Sequence, residues 1–154
     1  MKIKHEYSHL GGKEIIQTCF PKLKREIEQA IAHARAPAKT KISREKTMRG
    51  QMLYSPEALN NSLEKELRRL GWQRKRVYLG IDVPGLTSKR KPFKELDYVK
   101  GRVAAEVQFG KYFAMQYDLQ KFQFFYNRNE IDAGVEIVPM SSLTEQMSTG
   151  VSYY

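Results

Sequence analysis

The sequence predicts a mixed α/β domain in which a mixed central β-sheet, flanked by helices, forms the core. Three observations carry that prediction. Leu23, Ile27, Ala30, Ile31 and Ala34 recur at helical spacing, as do Leu59, Leu63 and Leu67. The run from Asp97 to Gln108 alternates in the two-residue rhythm of a strand. The resulting order is helix, helix, strand, strand, strand, helix, strand, with no internal repeat and no linker that would separate domains. The 154 residues therefore read as one domain, 1–154, long enough to bury a single core.

Each element has a local cause. Pro21 suits a first helical position, and the helix it opens ends before Pro37. From Ala38 to Gly50 the apolar pattern is lost. Lys39, Lys41, Arg44, Lys46 and Arg49 face only Glu45, the composition of a charged surface loop. Ser55, Pro56 and Glu57 supply a capping hydroxyl, a first-turn proline and an acid at the positive helix end. Gly71 supplies the stop. Val77 to Val83 reads as a strand, Pro84 and Gly85 as a turn, and the basic Leu86 to Lys94 as a loop. A helix follows from about Tyr112 to Tyr126. Its stripe of Tyr112, Met115, Leu119, Phe122 and Tyr126 belongs in the core or a subunit interface. Gly134 to Pro139 reads as a strand and Ser141 to Ser148 as a short helix or turn.

Composition narrows the function. A formal charge of +10 and a pI near 9.7 suit a polyanionic partner, either nucleic acid or an anionic membrane. Without a ~20-residue apolar run or a signal-peptide core, nucleic acid in the cytoplasm is the better match. The one cysteine, Cys19, fits a reducing compartment and reads as a small buried hydrophobe. His5, His9 and His33 lack zinc-ligand spacing and take no role.

The chemistry concentrates in the Asp97 to Gln108 run. On an extended strand Arg102, Ala104, Glu106 and Gln108 share one face, and Val103, Ala105, Val107 and Phe109 share the other. The second face suits a core. The first brings a carboxylate and an amide to a common edge that Asp97 can join, an oxygen-rich setting for a hard cation in phosphodiester hydrolysis. Taken alone the pattern is weak, because such motifs tolerate variable spacing.

A family resemblance sharpens it. Tyr7 to Leu10, Gly50 to Pro56, Gly71-Trp72, Asp97 to Lys100, Glu106 to Tyr112, Ile131 to Met140 and Gly150 to Tyr154 follow in order. Across most of its length the chain resembles the BglII/BstYI-type restriction endonucleases of the PD-(D/E)XK nuclease superfamily, closest to the BstYI branch. The resemblance implies a homodimeric type II site-specific deoxyribonuclease that uses Mg2+ to cleave double-stranded DNA at a palindromic, GATC-centred site. It implies Asp97, Glu106 and Gln108 as the catalytic set, with Asp97, Glu106 and the Val107 carbonyl holding the metal. Asp82 is the alternative first acid, but would need a long hairpin to reach Glu106. Gln108 stands where most of the superfamily has lysine. Its amide can orient a water but cannot accept a proton, so the base lies elsewhere. Glu66 either joins the site from an upstream helix or forms a surface ion pair.

For DNA the resemblance points to Lys111, Ser148 and Thr149. Lys111 could reach guanine, a phosphate or merely solvent; Ser148 and Thr149 could reach base edges. Lys46 and Arg49 suit backbone attraction. The relatives continue past the equivalents of Tyr153 and Tyr154, so the chain is expected to lack a C-terminal portion. Two further readings stand beside the endonuclease: a catalytically impaired DNA-binding remnant, or a basic nucleic-acid-binding α/β protein held on its partner by charge.

Overall fold

The computed structural model describes residues 1–35, 38–80 and 92–147. The chain begins with α1 (Gly12–Cys19), which the sequence pattern did not reveal, and α2 (Pro21–His33). Ile27, Ala30 and Ala34 are buried, with Leu23 and Ile31 packed beside them. Cys19 is exposed rather than buried. It ends α1, where Phe20 takes the inward position as the chain turns into α2. The basic stretch expected to be an unstructured loop forms a small hairpin. In it β1 (Lys41–Ile42) pairs antiparallel with β2 (Met52–Leu53) around a 3-10 turn at Lys46–Met48.

The helix α3 (Pro56–Arg69) starts and stops for the reasons its sequence suggests. Ser55 Oγ accepts the Ala58 N–H at 3.3 Å. Past its end Gly71 adopts φ +87°, which favours glycine. Lys100 Nζ donates to the Leu70 carbonyl and to Glu26 Oε2, both at 2.6 Å. The buried Trp72 donates its Nε1–H to the same Glu26 oxygen at 3.2 Å. This polar knot joins α2, the end of α3 and the sheet, while Leu59, Leu63 and Leu67 fill the apolar layer beside it.

The central sheet runs in the order β3 (Gln73–Tyr78), β4 (Phe93–Lys100), β5 (Val103–Val107), β6 (Ala133–Ile137). The first two pairings are antiparallel and β5–β6 is parallel, so the sheet is mixed as expected. The parallel step needs a crossover, supplied by α4 (Tyr112–Asn127). After β6 comes α5 (Ser141–Thr144). Two boundaries differ from expectation. β3 begins at Gln73 rather than Val77, and Phe93 and Lys94 belong to β4 rather than to a loop. Ladder bonds to β4 draw the basic residues Arg74, Lys75 and Arg76 into the strand.

One irregularity interrupts the β3–β4 ladder beside the first acid. Gln73 pairs with Val99 but Lys75 with Leu96, so Asp97 and Tyr98 together oppose Arg74. This β-bulge re-phases the strand. Leu96 and Val99, three apart, pack in one cluster, whereas Tyr98 packs in the layer on the α2 and α3 side.

The stripe expected on α4, in the core or a subunit interface, enters the core at Phe122, which packs on the cluster of Leu96, Ala104, Phe125 and Ile131. Tyr112, Leu119 and Tyr126 are exposed, and the buried residues are Asp118, Lys121 and Phe125. The reason lies beneath the helix, in the polar residues it covers.

Candidate active site

β5 is covered on both faces. Val103, Ala105, Val107 and Phe109 join the apolar layer with α2 and α3, as their alternation requires. Ala104 and Glu106 point the other way, and α4 lies over them. The acidic edge anticipated from the sequence is therefore roofed, and Glu106 is 1% exposed. Beyond the turn at Gly101, Tyr98 pairs with Ala105, which brings Asp97 and Glu106 together one rung farther on. The Asp97 N–H donates to Glu106 Oε1 at 3.2 Å.

From Glu106 a chain of polar contacts runs across to α4. Lys121 Nζ stands 2.7 Å from Glu106 Oε1 and 2.8 Å from Asp118 Oδ1. Asp118 Oδ2 accepts from Gln108 Nε2 at 3.2 Å, and Gln108 Oε1 accepts the Gly110 N–H at 2.9 Å. Gln108 thus braces the approach to α4 with both ends of its amide. Burial, and then the negative charge of Asp97, push the Glu106 carboxyl up to about 8 against the pull of Lys121. Glu136, opposite Glu106 in the parallel register, is pushed up to about 7 by burial and by Asp118. Its Oε1 is buried without a hydrogen-bond partner.

On the other side Asp97 lines a cavity of about 340 Å³ with Val107, Tyr98 and Arg74. Glu57, Asn60, Asn61 and Glu64 of α3 complete the wall. Asn60 Oδ1 is a buried acceptor with no partner. Glu66 is not among these residues; it pairs with Arg69 at 2.9 Å, so of its two expected fates it takes the surface ion pair. Asn60, Asp118, Lys121 and Glu136 were missed in the sequence. Only the single acid Glu136 stood within a stretch that carries the family resemblance, and nothing marked it as facing Glu106.

A divalent cation is consistent with this donor set. Among the described residues no group of three His, Cys, Asp or Glu side chains is placed to hold a metal. Asp97, which lines the cavity with Val107 and the orphaned Asn60 oxygen, and Glu106, which adjoins Asp97 from the α4 side, instead offer mixed hard-oxygen donors, which suits an ion that keeps several waters.

The expected DNA residues are more scattered. Lys111 is the residue before α4, exposed, with its Nζ 5.7 Å from the Phe113 ring centroid. Lys46 and Arg49 are exposed on the β1–β2 hairpin, which leads through Tyr54 and Ser55 into the helix that walls the cavity. Ser148, Thr149 and Asp82 lie outside the described residues.

A mixed sheet carrying an acid on each arm of a central hairpin, with a helix roofing one face, is a restriction-endonuclease-like fold. The family described as restriction endonuclease BglII/BglIII matches residues 4–154, and the chain belongs to that family. Among solved structures it is similar to the restriction endonuclease BglII complexed with a DNA 16-mer, at TM-score 0.67 and 21% identity. That match covers 93% of this chain and 60% of the other, so the chain spans about three fifths of that relative's length. No curated protein matches the sequence. None of the described helices is long and apolar enough to cross a membrane.

Proposed function

We propose that the protein is a type II restriction endonuclease that hydrolyses double-stranded DNA with Mg2+ at a palindromic, GATC-centred site. The observation that carries this reading is the convergence of Asp97 and Glu106 across the β4–β5 hairpin, in a chain of this family. Asp97, Glu106 and the Val107 carbonyl would hold the ion, with Asn60 Oδ1 a further oxygen donor. When bound, Mg2+ supplies Lewis-acid polarisation of the phosphoryl oxygen and a more acidic water. The protein's role is to fix the carboxylates and exclude bulk solvent from the α4 side, with the Gln108 amide, held by Asp118 and Gly110, bracing the site beside them. Lys111, Ser148 and Thr149 would read DNA, and Lys46 and Arg49 would hold its backbone.

A two-fold dimer matches a palindrome, each subunit cutting one strand. The exposed apolar residues of α4, among them Tyr112, Phe113 and Leu119, supply a surface that such a dimer would cover. Plasmid DNA incubated with the protein and Mg2+ tests the central claim. Discrete fragments are expected, with cleavage by Glu106→Ala or Asp97→Ala falling at least about a hundredfold. Intact plasmid with a salt-sensitive gel shift would support the DNA-binding remnant instead.

A further inference from the structure

We infer that Lys121 is a positioning residue of the candidate site, an internal cation that holds Glu106 in place and yields it to the divalent ion. The inference rests on the endonuclease reading and adds to it a residue from outside the strand motif. Lys121 is 7% exposed, and lysines are seldom so buried unless paired. Its ammonium bridges Glu106 at 2.7 Å and Asp118 at 2.8 Å. Asp118 lies three residues earlier on α4, so the two side chains share a helix face and the bridge is anchored from its own element.

The contact on Glu106 falls on Oε1, the oxygen that also accepts the Asp97 N–H. A cation held by both Asp97 and Glu106 would draw on the same Glu106 carboxylate that Lys121 engages. Ammonium and divalent ion then compete for the same carboxylate oxygens, and repel each other at short range. Asp118 removes the cost of giving way. When Glu106 turns to the ion, Lys121 keeps a buried carboxylate partner and never becomes an isolated buried charge. The pair Asp118–Lys121 is therefore a built-in counter-charge that keeps a deeply buried glutamate ordered and ready, then slides off it.

The test uses Mn2+ alone, without DNA, titrated into the full chain and followed by the electron paramagnetic resonance of the free ion. Wild type should bind Mn2+, and Glu106→Ala should lose that binding. Lys121→Met should bind about tenfold or more tightly, the order expected when a unit charge is removed a few ångströms from a site at protein-like dielectric. Wild-type binding that Lys121→Met leaves unchanged or weakens overturns the role of Lys121 alone. Absence of Mn2+ binding in wild type overturns it together with the metal-dependent endonuclease reading. Should Lys121→Met fail to fold, Asp118→Asn decides. It leaves Lys121 with Glu106 as its remaining carboxylate, so Mn2+ should bind about tenfold more weakly; equal or tighter binding overturns the inference.

Discussion

Glu136 shows how burial, aided by a neighbouring acid, sets a residue's chemistry. Its carboxyl is pushed from 4.5 up to about 7, chiefly because its charged form loses solvation beside β5 and α4. The folded state therefore holds a proton that the unfolded chain releases above pH 4.5. Stability falls as pH rises from about 4.5 to about 7, and the penalty is complete above that window. Glu136→Gln should remove this share of the slope and leave that of Glu106, making the variant more stable than wild type at pH 8 by roughly 1–2 kcal/mol. Urea unfolding at pH 5 and pH 8 checks it, and a gain independent of pH would argue against the assignment. Of this neighbourhood strand alternation put Glu106 and Gln108 on one face, while Asp97, on the other side of the Gly101 turn, was reached through the family resemblance. Asn60 was not legible. An amide between Leu59 and Leu63 on an amphipathic helix looks like any polar flank.

At the scale of elements, α4 is where sequence reasoning and structure diverge. Of the stripe expected in the core or a subunit interface, Tyr112, Leu119 and Tyr126 lie outward, while Phe122 packs inward with Asp118 and Lys121 beside it. Periodicity assumes that helices bury oil, and here one buries an ion pair because β5 presents an acid beneath it. The helix is held to the sheet through Phe122 over Gly134. A Cβ at Gly134 would fall 2.5–2.7 Å from the Phe122 ring, closer than packing allows. Gly134→Ala should cost about 1–3 kcal/mol in urea unfolding. It should also change Mn2+ affinity, since α4 carries Asp118 and Lys121 and must shift with Phe122. A variant as stable as wild type, with unchanged Mn2+ affinity, would show that the helix seats itself independently of this contact. The missed α1 has a plainer cause: its eight residues bury Ile16 but hardly any other apolar side chain, so the helical pattern is thin.

For the whole molecule, charge separates into tethered and available groups. The basic run on β3 is largely neutralised in place, with Arg74 and Arg76 on Glu95 and Lys75 on Glu130. Lys46 and Arg49 stand exposed on the hairpin that leads into the cavity's helical wall. If they meet phosphates, changing both to alanine should reduce the slope of log affinity for duplex DNA against log salt by about 2. Titrations at several ionic strengths measure it, and Mn2+ binding should be unaffected. The net charge of +10 pointed to a polyanion, but it could not say which cations were already engaged. That distribution depends on pairings between strands far apart in the chain. The helices α2, α3 and α4 and the central strands were legible for the opposite reason: caps, glycine stops and alternating runs act locally.

The turn at Gly101 gives the distance between the two acids a different meaning. Asp97 and Glu106 sit on opposite rails of one ladder, so their nine-position separation in sequence measures only how far the ladder runs before it folds back. Adding one residue to each rail beyond Tyr98 and Ala105 would move the turn outward and leave the acids facing each other. Adding one residue to a single rail would reverse the side from which every later group projects. What descent must preserve in this hairpin is therefore parity rather than length.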